Sequence, residues 1–358
     1  MRSRYFRLIW YPPIVALVTI TAWRAHFAGL ALPAATSVAA APFMDPDLQD
    51  TFHQVETLLM QGKFDELETQ AATFRDVDVR FPGGYPKLHY FYEALGVFHG
   101  KPCGCKPLFT SLLNFSEKEA AIQAWMAAKP GSITAAIAMA RLWTNYGWDA
   151  RGPAFAEKVP DSDMRLFADR INRGLAYLRA LDPRSDANIY QLYMQSTGTL
   201  LGGNGRSAIY MIYQHATESF HTYYPYYMVM ANYLQPKWFG TQGDLDQFLR
   251  SLLKEDRDTG LIEYSFAAEA LDKQNVSGNV YKEFGMDWPT LKRALALREQ
   301  RYGSSNRLRN VELRLATGAA DRAYAGELAQ QIGNKWDPTI WSGWDGYAAV
   351  AAWATAGN

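Results

Sequence analysis

Cys103-Gly104-Cys105 is the sharpest chemical signal in the chain, because these are its two cysteines and a single residue separates them. Thiols that close oxidise readily in an exported compartment. A ring closed over one glycine is tight, and tight disulfides are the ones that exchange. Lys101 and Lys106 on either side favour the thiolate, the attacking form. The pair is therefore a redox candidate. A plain clip on the proline-bounded loop 101–107 fits the same residues, since no thioredoxin-like strand and helix surround them. A metal would need two further ligands; His99 offers one, and nothing supplies the fourth.

The remaining constellations point away from catalysis. His215, Glu218 and His221 stand at i, i+3 and i+6, which on a helix spread over about 120°, whereas i, i+4 converges on one ion. Gly202-Gly203-Asn204-Gly205 lacks the Lys-Ser/Thr that a phosphate cradle needs and is a loop. Asp65 with Glu66 and Asp161 with Asp163 fall at helix starts, where the helix dipole accounts for them. No catalytic residue, metal or cofactor is expected. Arg151 is different. Next to Trp148, with Trp143 and Tyr146 just before it, its guanidinium can stack on rings or clamp a carboxylate. Arg151, Trp148, Trp238 and Tyr227 are the candidate binding contacts, with a buried arginine joining two hairpins as the plainer reading of the first.

These residues need a scaffold, and the apolar spacing says which kind. Phe52, Val55 and Leu58/Leu59 fall at helical period, Gly62 stops them, and Phe64, Leu67, Ala71 and Phe74 begin again. The stripe Leu88, Phe91/Tyr92, Leu95 follows the loop 80–86. Ser132 can cap a helix carrying Ile133, Ile137, Ala140 and Trp143. Further helices start near Asp163, at Ser185 or Asp186, after Pro225, at Asp244, at 287–289 and at Asp321, with 275–285 as a loop. Persuasive strand alternation is missing. Pro-Ser or Pro turns recur near 130, 183 and 225, a period longer and looser than that of a tetratricopeptide unit. The expected fold is all-α: stacked antiparallel helical hairpins forming a tetratricopeptide-like α-solenoid. Its divisions are 1–46 as an N-terminal segment and linker, 47–333 as the helical-repeat domain, and 334–358 as a Trp-rich cap.

The N-terminus carries Arg2, Arg4 and Arg7 before an apolar run over 8–23, closed by Arg24. A small-residue site near Ala40 lies far from that run. The segment reads as an uncleaved signal anchor at the inner membrane with the body facing the periplasm; cleavage near Ala40 to a soluble exported form is the alternative. Lysine plus arginine and aspartate plus glutamate each number 36, with no like-charged run, which argues against nucleic acid.

The residues Trp125 to Ser132 (Trp-x-x-x-x-Pro-x-Ser), Trp148-Asp149-Ala150-Arg151-Gly152, Leu181-Asp182-Pro183 and Pro236-Lys237-Trp238-Phe239-Gly240-Thr241 give the chain a resemblance. It resembles a bacterial family known as a domain of unknown function, number four thousand and thirty-four, over about residues 58–332. The last segment usually looks like Pro-Arg-Trp-Gly-Gly-Ser in that family and departs from it here at three places. The resemblance implies a helical-repeat fold and brings no activity or catalytic residue with it. The expected role is a non-enzymatic scaffold that binds a protein or peptide partner on a concave face. Thiol–disulfide chemistry at Cys103 and Cys105, and carbohydrate or cell-wall binding through Trp336, Trp341 and Trp344, are the alternatives.

Overall fold

A computed structural model describes residues 39–99, 110–152, 158–254, 257–274 and 279–356. Cys103 and Cys105, and the signal segment before residue 39, lie outside them. The described chain is all-α, as the apolar periodicity requires. Helices α1 (Pro46–Met60) and α2 (Phe64–Phe74) form the first hairpin, and Gly62, in the left-handed region at φ 66°, makes its turn. A two-residue antiparallel hairpin, β1 (Arg80–Phe81) and β2 (Tyr85–Pro86), occupies the expected loop. Next come α3 (Lys87–Gly96), α4 (Phe115–Ala128), α5 (Ile133–Arg151), α6 (Asp161–Leu178), α7 (Ala187–Leu201), α8 (Arg206–Phe220) and α9 (Pro225–Tyr233). The C-terminal part holds α10 (Asp244–Leu253), α11 (Asp258–Gln274), α12 (Val280–Phe284), α13 (Trp288–Tyr302), α14 (Asn306–Gly318), α15 (Arg322–Ile332) and α16 (Trp344–Thr355).

Capping chemistry fixes most of the helix starts. Ser132 Oγ accepts from Ala135 N at 2.9 Å, and Asp186, rather than Ser185, caps α7 by accepting from Asn188 N at 2.8 Å. Asp287 and Asp321 cap α13 and α15. Asp244 departs from expectation: it is the first helical residue, and its carboxylate turns back to accept from Thr241 and pair with Arg206. Residues 275–285 are not all loop, since α12 lies there.

Alternate helices pack on each other. Helices α1, α3, α5, α7, α9, α11 and α13 make a continuous row, each touching the next but one, and α2, α4, α6, α8 and α10 flank it. The flanking helices bury single stripes, such as Phe167, Ile171, Gly174 and Leu178 on α6. The row helices are buried on several sides; α11 is covered from Gly260 through Asp272. The row then meets its own other end. Tyr85 bonds Glu269 on α11, Arg298 on α13 bonds the Gly83 carbonyl, and Asp45 accepts from Asn306 N and Arg307 N at the start of α14. The tryptophans of the last segment face inward: Trp336 is bonded to the Ala40 carbonyl, and Trp341 to Asn310.

Candidate functional site

His89 and Glu93 stand one turn apart on α3, and a ring of hydrogen bonds joins them through three other elements. Arg141 on α5 donates to Glu93 at 3.1 Å, to Gln195 at 3.2 Å and to Asn188 Oδ1 at 2.8 Å, the last two on α7. Asn188 Nδ2 donates to the Tyr223 hydroxyl at 2.8 Å, that hydroxyl donates to Gln191 Oε1 at 3.0 Å, and Gln191 Oε1 lies 3.2 Å from His89 Nδ1.

The direction of this chain is fixed by its first member. A guanidinium only donates, so Asn188 presents its oxygen to Arg141 and its NH₂ to Tyr223. Tyr223 then spends its one hydrogen on Gln191, and an amide oxygen facing His89 Nδ1 accepts from it. His89 is thereby held as the Nδ1–H tautomer, leaving Nε2 as a bare acceptor with no protein partner among the described residues. Burial, together with the Arg141 and Lys273 charges, holds the imidazole down at about 4 against the pull of Glu93, so the ring is neutral at neutral pH.

Across from Tyr85 lies α11. The Tyr85 hydroxyl, just before α3, donates to Glu269 at 2.9 Å, and one turn further along each helix stand His89 and Lys273. Glu269 is also held by Arg298 and Arg307, both at 3.1 Å. Burial alone would push its carboxyl up, but the two guanidinium groups bring it down to about 2. Arg307 further faces Asp337 at 3.6 Å, and Arg314 pairs with Asp272 at 2.6 Å. Lys273 has no ion pair or hydrogen bond among the described residues. Its side chain is exposed, yet loss of water contact and the Arg307 charge lower its ammonium to about 8.

The residues singled out by sequence divide into two places. Arg151 lies over Trp148 at 5.5 Å and over Trp238 at 5.8 Å, so three of the four candidate contacts come together and fasten the end of α5 to the loop after α9. Tyr227 is elsewhere and buried; its hydroxyl sits 2.9 Å from Glu263 and is not a surface contact. His215 makes an exposed pair with Glu218 at 3.3 Å. Among the described residues no group of histidine, cysteine and carboxylate side chains could hold a metal ion, and no helix is long and apolar enough to cross a membrane. Trp336 and Trp341 are covered and offer no stacking platform for a sugar.

Sequence reading missed His89, Glu93 and Lys273. The usable signal was the i, i+4 pair His89 and Glu93 beside the apolar stripe of α3; Lys273 became visible only once α11 was placed opposite. A pocket of about 320 Å³ lies between the start of α1, the β-hairpin and the start of α14, lined by Phe43, Asp45, Phe81, Tyr90, Arg309 and Lys335 among others.

Comparison with protein families matches residues 52–202 to the model described as a domain of unknown function (DUF4034). The matched stretch reaches from α1 to the end of α7 and contains His89, Glu93, Arg141, Asn188 and Gln191; Lys273 and the segment 236–241 lie beyond it. No curated protein and no solved structure matches the chain.

Proposed function

We propose that this chain, matched by the DUF4034 model over residues 52–202, is a helical-repeat binding protein that takes a peptide segment of a protein partner on the face where Lys273 stands. The observation that carries the reading is the charge balance around Lys273. Arg141, Arg298, Arg307 and Arg314 each have a carboxylate, in Glu93, Glu269, Asp337 and Asp272, while Lys273 pairs with none among the described residues. An exposed ammonium with no carboxylate of its own is free to take an acceptor from a ligand. Stacked helical arrays commonly hold peptides on an extended face, and a row of stacked helices is present here. The basic and apolar segment before residue 39 would tether the body to the inner membrane on its periplasmic side.

The test is selection of a random peptide library on the full chain in detergent micelles. Enriched sequences should bind the wild type and lose at least about tenfold in affinity to Lys273→Gln, the effect of one charge-assisted hydrogen bond. A library that yields no sequence above a bare-micelle control would refute peptide binding.

A further inference from the structure

We infer that the pocket between the start of α1, the β-hairpin and the start of α14 binds a small aromatic acid, its ring against Phe81, Tyr85 and Tyr90 and its carboxylate on the Tyr90 hydroxyl in the field of Arg309 and Lys335. The inference does not rest on the peptide reading, because Lys273 is not among the residues that line this pocket. The volume of about 320 Å³ falls within the range, about 300–1,000 Å³, of sites that enclose small molecules.

Three observations carry it. The first is an unused hydroxyl. Tyr90, on α3, is 5% exposed, and its ring is fixed by edge-to-face contacts with Phe81 at 5.7 Å and with Tyr85 at 6.1 Å. Tyr85 spends its own hydroxyl on Glu269, whereas the Tyr90 hydroxyl has no hydrogen-bond partner among the described residues and stays open on the cavity that Tyr90 lines. Burial pushes this phenol up to about 12, so it meets a ligand as a neutral donor. An almost buried hydroxyl without a partner is uncommon in folded proteins, and the pocket in front of it is where a partner enters.

The second observation is a shortage of acceptors. Asp45 gives one oxygen to Asn306 N and the other to Arg307 N at the start of α14. Arg307 Nε and Ser304 Oγ, on two further lining residues, are covered and unpartnered. A guanidinium only donates, so a ligand that suits this lining brings acceptor oxygens. The third is charge at the rim. Arg309 is bonded to the neutral Gln331 at 3.1 Å, and Lys335 lies over the Phe43 ring at 5.2 Å; neither pairs with a carboxylate among the described residues. With Asp45 engaged, these two cations face the single carboxylate of Asp47, a balance that suits a monoanion. Water satisfies the hydroxyl but gains nothing from the rings, which an aromatic acid covers.

The experiment is equilibrium dialysis of hydrocinnamate, its amide and propionate against the full chain in detergent micelles, with bare micelles as the blank. Hydrocinnamate should bind saturably at millimolar concentration. The amide lacks the charge and propionate lacks the ring, so each should be weaker by about tenfold or more. Tyr90→Phe removes one oxygen that holds no neighbour; its urea midpoint should match the wild type while hydrocinnamate affinity falls by about fivefold or more. Lys335→Gln, on an exposed side chain, should bring acid and amide together, and it decides alone if Tyr90→Phe unfolds earlier. No saturable uptake above bare micelles, which means a pocket that holds water only, overturns the inference. Equal affinity for acid and amide in the wild type, or a folded Tyr90→Phe that binds as the wild type does, overturns it as well. An empty peptide library beside saturable hydrocinnamate binding removes the peptide reading and leaves this pocket standing, and the converse pair of results does the reverse.

Discussion

A single hydroxyl on Tyr227 stands between two acceptor oxygens, the His221 carbonyl at 2.8 Å and Glu263 at 2.9 Å. One hydrogen cannot serve both. The carbonyl cannot carry a proton, so while Glu263 is protonated the hydroxyl donates to the carbonyl and accepts from Glu263, and once Glu263 ionises the two oxygens compete for the one hydrogen. Burial pushes that carboxyl up to about 7, against the weaker pulls of Tyr227 and Arg257. The folded chain thus holds a proton that the unfolded chain releases from about pH 4.5 upward, so this group stabilises the fold at acid pH, and the contribution is lost as pH rises to about 7. Glu263→Gln keeps the donor permanently. It should raise stability at pH 8 by on the order of 3 kcal/mol and leave it nearly unchanged at pH 4, as read from urea melts at the two values. Arg141 is the opposite case, a buried cation holding three partners. Arg141→Met should cost on the order of 3 kcal/mol in the same melts and release the His89 tautomer to a mixture in nitrogen spectra. Neither group was legible in the sequence, because what gives each its role is a partner on another helix: Tyr227 for Glu263, and Asn188 on α7 for Arg141.

Elements were far more legible than sites, because an apolar stripe, a cap and a stop are local. The Ser132, Asp287 and Asp321 starts and the Gly62, Gly202 and Gly303 stops stand where residue chemistry puts them. Where local signals misled, tertiary contact explains it: Asp244 is drawn away from capping by Arg206 and Thr241, and α12 is held by Asn279, which caps it and also reaches the Gly318 carbonyl. Helices α5 and α6 meet closely, and a Cβ on Gly174 would lie 2.9 Å from the Ala140 carbonyl oxygen. Alanine gains about 1 kcal/mol over glycine in a helix, but here it forces two backbones apart. Gly174→Ala should therefore be net destabilising by about 1–3 kcal/mol. Gly147→Ala, whose Cβ would meet side-chain atoms of Ile171 and Phe167 rather than backbone, should lose less, and urea midpoints of the pair decide the matter. The reverse order would mean that α5 and α6 do not cross through glycine.

At the scale of the whole molecule, an open array of stacked helices would be stable as a sum of neighbour terms and could unfold from either end. This chain ties elements far apart in sequence: Asp45 to the start of α14, Gly83 to Arg298, Tyr85 to Glu269. Glu269 is the centre of the closure, since Tyr85, Arg298 and Arg307 all converge on its two oxygens. Its carboxyl is held at about 2, so its contribution is in place above about pH 4.5 and fades only as pH falls toward 2. Removing the charge at neutral pH imitates that loss without acid. Glu269→Gln leaves Arg298 and Arg307 buried with too little negative charge, a cost of about 3–5 kcal/mol. The loss should not be shared evenly. The row from α1 to α9 keeps its own contacts, whereas the junction between the β-hairpin, α11, α13 and α14 loses its centre. In urea the wild type should unfold in one transition followed alike by tryptophan fluorescence and circular dichroism. Glu269→Gln should show two, with amide exchange accelerated first around Tyr85, α13 and α14 and protection retained in α5 and α7. A single transition in the variant, merely shifted to lower urea, would show that the helix row itself couples the two ends and that the junction is not what makes the molecule cooperative.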